Sequence, residues 1–351
     1  MMTFPERITV VEVAPRDGLQ SLPKWIDTDA KVAMIDRLSQ AGFPVIEVTG
    51  FAHPRVIPNL RDAEEVCARI KRRSGTIYRG LAPNARGAGR AVAAKVDEVL
   101  GLMTVSEAYL RRNQNMTLDE AVEQATQAFR IADKAGLAFV MALGMSMWCP
   151  YEGAIPESKV AGLVARLRNA GIRRFYLAGS VGMEDPRHVN RLFARLADAH
   201  PACEFGFHVH NLAGYGTANV IAAIDAGARW IEGSICGIGG GIVMPKSVAS
   251  VGNLPTEDIV AMLHEMGIET GLDPAEVIAA ARDVARLLDI EARSYAVQAG
   301  TRKDLLRSSE RLRCRSCAIA QISLCVVGRQ KERSFGIDLT VNEISHHPYT
   351  R

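Results

Sequence analysis

Residues 8–51 read ITVVEVAPRDGLQSLPKWIDTDAKVAMIDRLSQAGFPVIEVTGF. Two short strand-like runs, ITVVEV (8–13) and VIEVTGF (45–51), flank TDAKVAMIDRLSQAG (28–42), which opens on Thr-Asp and closes on Ala-Gly. Those are start and stop signals of a helix. Strand, helix and strand in this order predict a parallel pair joined by a crossover. The turn after the first run separates the two folds built from such units. An open doubly wound sheet more often carries a glycine-rich phosphate turn there, whereas this chain has PRDGLQ.

The pattern continues through IYRGLAPN (77–84), VDEVLGLMTV (96–105), AFVMALGM (138–145), RRFYLAGS (173–180), EFGFHVH (204–210) and RWIEGSIC (229–236). Helical segments such as LDEAVEQATQAFRIADKAG (118–136) and PESKVAGLVARLRNAG (156–171) lie between them. Eight strands at roughly the 30-residue spacing of a βα unit predict an α/β chain with a (β/α)8 TIM barrel over residues 1–290. Its active site belongs at the C-terminal strand ends. Arg16, Asp17, Glu47, Asn84, His208 and His210 all fall at or near such ends. Residues 291–351 form a C-terminal extension, helical or irregular, rich in Arg and Cys. Within it Cys314 and Cys317 have the spacing of half a zinc site, with His346 and His347 downstream. Two unpaired thiols in a tail are the plainer reading.

With 351 residues, 48% of them hydrophobic and 23% charged, the chain has the composition of a globular protein with a sizeable core. A net charge of +3, dispersed along the sequence, does not favour a nucleic-acid partner. Apolar runs are broken well short of the roughly 20 residues a membrane helix needs, and MMTFPERITVVEV carries no secretory signal pattern. Seven cysteines, odd in number and unevenly spread, fit reduced thiols in a cytoplasmic protein better than a disulfide framework.

His208 and His210, one residue apart on a strand, point to the same side. The first and seventh strands of a closed barrel are near neighbours across the eighth, so Asp17 can converge on them. Asn253, after the glycine run GSICGIGGG (233–241), offers a fourth oxygen. One carboxylate, two imidazoles and an amide suit a divalent metal, Mg or Mn, more than a structural zinc. Arg16, beside Asp17, can stabilise negative charge on a substrate oxygen or pair with Glu12 or Glu47. The two roles are compatible, because a bridge to Glu47 would hold the guanidinium in place.

VEVAPRDGLQ (11–20), VIEVTGFAHP (45–54), RRNQN (111–115), CPYEG (149–153), HVHN (208–211), the glycine loop and VGNLPTEDIV (251–260) together resemble hydroxymethylglutaryl-CoA lyase, in order from about residue 8 to residue 290. The resemblance implies a divalent cation held by Asp17, His208, His210 and Asn253. Arg16 and Glu47 belong to the family's Asp-Arg-Glu constellation, with Arg16 stabilising the enolate of the departing acyl-CoA. It further implies a 3-hydroxyacyl-CoA substrate contacted by Gln20, Arg111, Arg112 and Asn113, and a possible homodimer.

Two positions depart from the family's pattern. Its glycine loop reads GLGGC, with a cysteine that takes part in proton transfer, where this chain has GIGGG and Gly241. Its LGDTIG, with an aspartate assigned to catalysis, is LAGSVG here, which puts Gly179 at that point. A general acid or base is worth about 10²- to 10⁴-fold in rate, so the loss matters. Cys236 or Ser180 could carry the protons instead, although Cys236 also reads as a small buried residue at the end of the eighth strand. Alternatively, the substrate is altered, as in a related carbon–carbon lyase or acyltransferase. A third reading is a catalytically impaired homologue or non-enzymatic module that binds metal or acyl-CoA.

Overall fold

The computed structural model describes residues 2–240 and 252–307, except for the side chain of Asn113. Gly241, Cys314, Cys317, His346 and His347 therefore lie outside the described residues, as does most of the C-terminal extension. By its internal contacts the chain divides into two units, residues 1–301 and 302–351.

In the first unit the strands are β1 (Thr9–Glu12), β2 (Val45–Gly50), β3 (Ile77–Ala82), β4 (Glu98–Thr104), β5 (Ala138–Gly144), β6 (Arg174–Gly179), β7 (Glu204–Val209) and β8 (Trp230–Gly233). All eight run parallel and close into one barrel in sequence order, β8 pairing with β1. The helices that matter for the site are α1 (Thr28–Gln40), α2 (Ala63–Arg69), α3 (Ala85–Ala93), α4 (Glu107–Gln114), α5 (Leu118–Lys134), α6 (Glu157–Asn169), α7 (Pro186–Ala199), α8 (Gly216–Asp225), α9 (Thr256–Glu265), α10 (Pro274–Leu288) and α11 (Tyr295–Ala299). A two-stranded hairpin, Trp148–Cys149 with Gly153–Ala154, follows β5.

Alternation along each strand sorts side chains into two layers. Val11, Leu81, Leu100, Val140, Tyr176 and Trp230 fill the barrel interior. Their neighbours Val10, Ile46, Phe175, Leu177 and Phe207 face the helical layer. Helix starts follow their sequence signals: Asp27 accepts from the Ala30 amide at α1, Asp185 precedes Pro186 at α7, and Thr117 with Glu120 forms a capping box at α5. Each such cap contributes about 1 kcal/mol. Among the described residues no helix is long and apolar enough to cross a membrane.

The interior is not wholly apolar. Arg79 of β3, fully buried, donates to Glu98 and to Glu232, both at 2.6 Å. Burying three charges is costly unless they pair, and here they do so just beneath the site.

Candidate metal centre and active site

Immediately after β1 the chain makes one π-type turn, Ala14–Gly18, whose Asp17 amide donates to Val13 O at 2.8 Å. Single π turns often mark functional positions. This one directs the buried Arg16 and Asp17 to the barrel mouth. Arg16 Nε donates to Glu47 of β2, and Nη1 donates to Asp17 Oδ1 at 2.6 Å. Glu47, rather than Glu12, is thus the partner of Arg16. Glu12 instead accepts from the amides of Ala14 and Ile235, at 2.8 and 3.0 Å.

Asp17 gathers the other candidates around it. Gln20 Nε2 donates to its Oδ1 at 2.8 Å, and Asn253 Nδ2 donates to its Oδ2 at 2.7 Å. His210 Nε2 and His208 Nε2 lie 3.7 and 4.0 Å from the same Oδ2. Asn253 reaches this point because an isolated bridge joins it to His210, continued by Leu254 N donating to Val209 O at 3.0 Å. Gly239, at φ +144°, lets the backbone pass: a Cβ there would stand 2.0 Å from Asn253 Nδ2 and 3.0 Å from Asp17 Oδ2.

One ligand atom from each of Asp17, His208 and His210 falls within 4.8 Å of the others. Two observations fit this pocket to a cation. The Nε2 atoms of the two histidines face each other at 3.2 Å, an arrangement that pairs only if one of them keeps a proton. Asn253 Oδ1, buried, has no hydrogen-bond partner. Behind His208, Glu232 accepts from Nδ1 at 3.2 Å, leaving Nε2 as the lone-pair nitrogen, as carboxylates do behind metal-bound histidines. Glu232 is held in turn by Arg79 and by Trp230 Nε1 at 3.0 Å.

The electrostatics agree. Burial alone would raise Asp17, but the neighbouring Arg16, His208 and His210 and the Asn253 bond leave its carboxyl below the usual range. Burial would lower His208, yet the Glu232 bond and the Asp17 charge hold it above its ordinary value. Burial likewise works against Arg16, and the Glu47 and Asp17 charges reverse it, so Arg16 stays a cation.

A cavity of about 420 Å³ opens in front of this centre. Arg16, Asp17, Gln20, His208 and His210 line its polar side, while Val56, Ile57, Leu102, Met116 and Met145 line an apolar one. Ser180 and Asn84 also reach it, and Asn84 caps α3 by accepting from Gly87 N. From α4 the lining residues are Tyr109 and Gln114, whereas Arg111 and Arg112 are exposed. The Arg112 guanidinium rests 4.6 Å from the centre of the Tyr151 ring. Glu152 of the CPYEG stretch fastens the start of α4, accepting from Ala108 N at 2.7 Å and Ser106 Oγ at 3.0 Å.

The expectation that Cys236 carries protons is corrected. In the turn after β8 its backbone adopts φ +62°, and its thiol points to α10, donating to Ala281 O at 3.2 Å. It is fully buried and does not line the cavity, and burial pushes the thiol well above its ordinary pKa. Two residues that sequence reasoning missed are Glu232, visible only as an acid in β8 two positions from the inward-facing Trp230, and Glu184. The latter belongs to no motif.

The chain is similar to known proteins over most of its length. The chain is 36% identical over 281 residues to the hydroxymethylglutaryl-CoA lyase YngG of Bacillus subtilis, covering 80% of this chain and 93% of that one. To the mitochondrial hydroxymethylglutaryl-CoA lyase of Homo sapiens it is 32% identical, covering 85% and 91%. The solved structure of an HMG-CoA lyase from Acinetobacter baumannii, in complex with coenzyme A and 3-methylmalate, superposes with a TM-score of 0.80 at 36% identity, covering 87% of this chain and 98% of that one. With the HMGL-like family model matching residues 7–284, the chain belongs to the HMGL-like family.

Proposed function

We propose that this protein is a divalent-metal-dependent carbon–carbon lyase that cleaves hydroxymethylglutaryl-CoA to acetyl-CoA and acetoacetate. The observation that carries the reading is the buried Asp17–His208–His210 triad beside Arg16, at the mouth of a barrel whose relatives are lyases of this name. Asp17, His208, His210 and Asn253 would hold the cation, Mg or Mn. When bound, it supplies Lewis acidity toward the substrate's hydroxyl and carbonyl oxygens.

Loss of the tertiary hydroxyl proton lets the C–O⁻ collapse to a ketone as the adjacent C–C bond breaks. The electron pair leaves on the acetyl-CoA carbon as an enolate, which a proton then quenches. Arg16, fixed by Glu47 and Asp17, presents a preorganised positive charge for the enolate oxygen. Arg16 is itself only 5% exposed, and Leu102 and Met145 add apolar lining to the cavity it faces, which strengthens its charge there. Arg111 and Arg112, exposed on the helix whose inner face reaches the cavity, would meet the CoA phosphates, and Gln20 would contact substrate as well as Asp17. Asn113 is assigned to the same CoA contact from its sequence position. A homodimer in the cytoplasm, with the barrel ending near residue 290 and an appended C-terminal segment, completes the reading.

Purified protein with Mg or Mn and hydroxymethylglutaryl-CoA should yield acetyl-CoA and acetoacetate in equal amounts. Absence of both products, with Mn still binding, would sink the substrate assignment.

A further inference from the structure

Glu184 sits in the loop between β6 and α7 with only 2% of its surface exposed, and neither carboxylate oxygen has a hydrogen-bond partner of good geometry. The amides of Glu184 itself and of Met183 favour its ionised form. A buried carboxylate without partners costs free energy and needs an explanation. Burial pushes it up to about 7, with the charge of His208 working the other way.

Its position supplies the explanation. A Cβ built on Gly179 would stand 2.0 Å from Glu184 Oε1 and 2.6 Å from Cδ. These are distances of one or two covalent bonds. The carboxylate thus fills the space that a short acidic side chain at residue 179 would occupy. Gly179 is the position where the lyase resemblance expects an aspartate. The loop carrying Glu184 also lies directly against the ligand strand: Gly179 O accepts from His210 N at 3.3 Å, Ala213 N donates to Gly182 O at 2.9 Å, and Gly179 is in register with Val209.

We propose that Glu184 returns to this site, from five positions further along the chain, the carboxylate that residue 179 lacks, and that it acts as a positioning residue through the His208–His210 strand. When ionised, its negative charge beside that strand favours a cation at the histidines by Coulomb attraction, the charge of His208 already being felt at Glu184. A cation at the histidines would in turn favour the ionised form of Glu184. The proposal rests on the metal-centre reading above, and a metal titration tests it without requiring turnover.

The experiment is a cycle of Glu184→Gln, Glu184→Gly, Gly179→Asp and the double variant Gly179→Asp/Glu184→Gly. Each is followed by MnCl₂ titration calorimetry, thermal melting and hydroxymethylglutaryl-CoA cleavage. Glu184→Gln and Glu184→Gly should weaken Mn binding by roughly 10-fold and lower kcat by roughly 10- to 100-fold with KM little changed. Glu184→Gln should melt as the parent does. Gly179→Asp alone puts two carboxylates in one space and should lower the melting temperature by roughly 5 °C. The double variant should recover melting, Mn affinity and kcat to within about threefold of the parent. Parent-like Mn affinity and kcat in Glu184→Gln would overturn the proposal. So would losses that only track melting temperature, or a double variant no better than Glu184→Gly. A parent protein inactive on hydroxymethylglutaryl-CoA would refute the substrate assignment alone, since the Mn and melting cycle still decides this one.

Discussion

The two sides of the barrel mouth hold their carboxylates by opposite means. Around Asp17 both oxygens are engaged, by Arg16, Gln20 and Asn253, and the partner cation and amides come from the turn after β1, the residues just beyond it and the far end of the glycine loop. At the end of β6, Glu184 is equally buried and has no such partners. Paired charge is fixed in place and resists reprotonation, whereas burial without partners disfavours the ionised form, so such a carboxyl changes its protonation with its surroundings. The first arrangement suits a ligand, the second a group that responds to one.

The largest effect should come from breaking the paired side at its centre. Asp17→Ala removes the common partner of both histidines, and Mn affinity should fall by well over the roughly 100-fold that outer partners of ligands cost, as read by calorimetry. Arg16→Gln should leave metal binding while lowering kcat by roughly 10²- to 10³-fold. It also leaves Glu47 as an uncompensated buried charge, so unfolding in urea should show a loss of about 3–5 kcal/mol. Glu232→Gln takes the acceptor from His208 Nδ1 and should cost roughly 10- to 100-fold in Mn affinity. Parent-like affinity in that variant would show that Arg79 and Trp230, not the histidine, are what Glu232 serves.

The smallest effect sharpens the other half of the comparison. Burial raises Glu257 to about 8 and Glu12 to about 7, with their mutual repulsion adding to it for Glu257. A carboxyl raised from about 4.5 in the unfolded chain binds more protons when folded. Its stabilising effect is therefore complete below about pH 4.5 and is lost as pH rises through about 7 to 8. Denaturation curves between about pH 5 and pH 9 should show stability falling across that window. Glu257→Gln should flatten the slope, and an unchanged slope would mean that Glu257 does not titrate there. The Cys236 amide, which donates to Glu257 at 3.1 Å, should keep its bond to the glutamine oxygen.

What the sequence disclosed and what it hid divide along the same line. Strand ends are legible because alternation and turn residues mark them, so PRDG, HVH and Asn253 point to one place before any coordinates exist. Cys236 misled because five residues of separation from Gly241 say nothing of direction: a single left-handed backbone position turns the thiol to the outer layer. Arg111 and Arg112 drew attention by charge, while the side chains of that helix that reach the cavity are Tyr109 and Gln114. Glu184 was invisible because its meaning depends on the side chain that Gly179 does not have. Substitution of one position by the carboxylate of another leaves no pattern in periodicity or motif.

The hydrogen bond from Asn253 to Asp17 joins residues 236 apart in sequence. During synthesis Asp17 leaves the ribosome long before the other three members of the proposed ligand set, and no nascent chain shorter than 253 residues can bring Asp17, His208, His210 and Asn253 together. Contacts this distant form late and slowly. Acquisition of metal therefore marks the moment the barrel closes, and timed Mn capture during refolding should follow the last folding phase rather than the first. Metal supply then becomes a means of trapping finished molecules, because whatever binds only the closed form draws the population toward it.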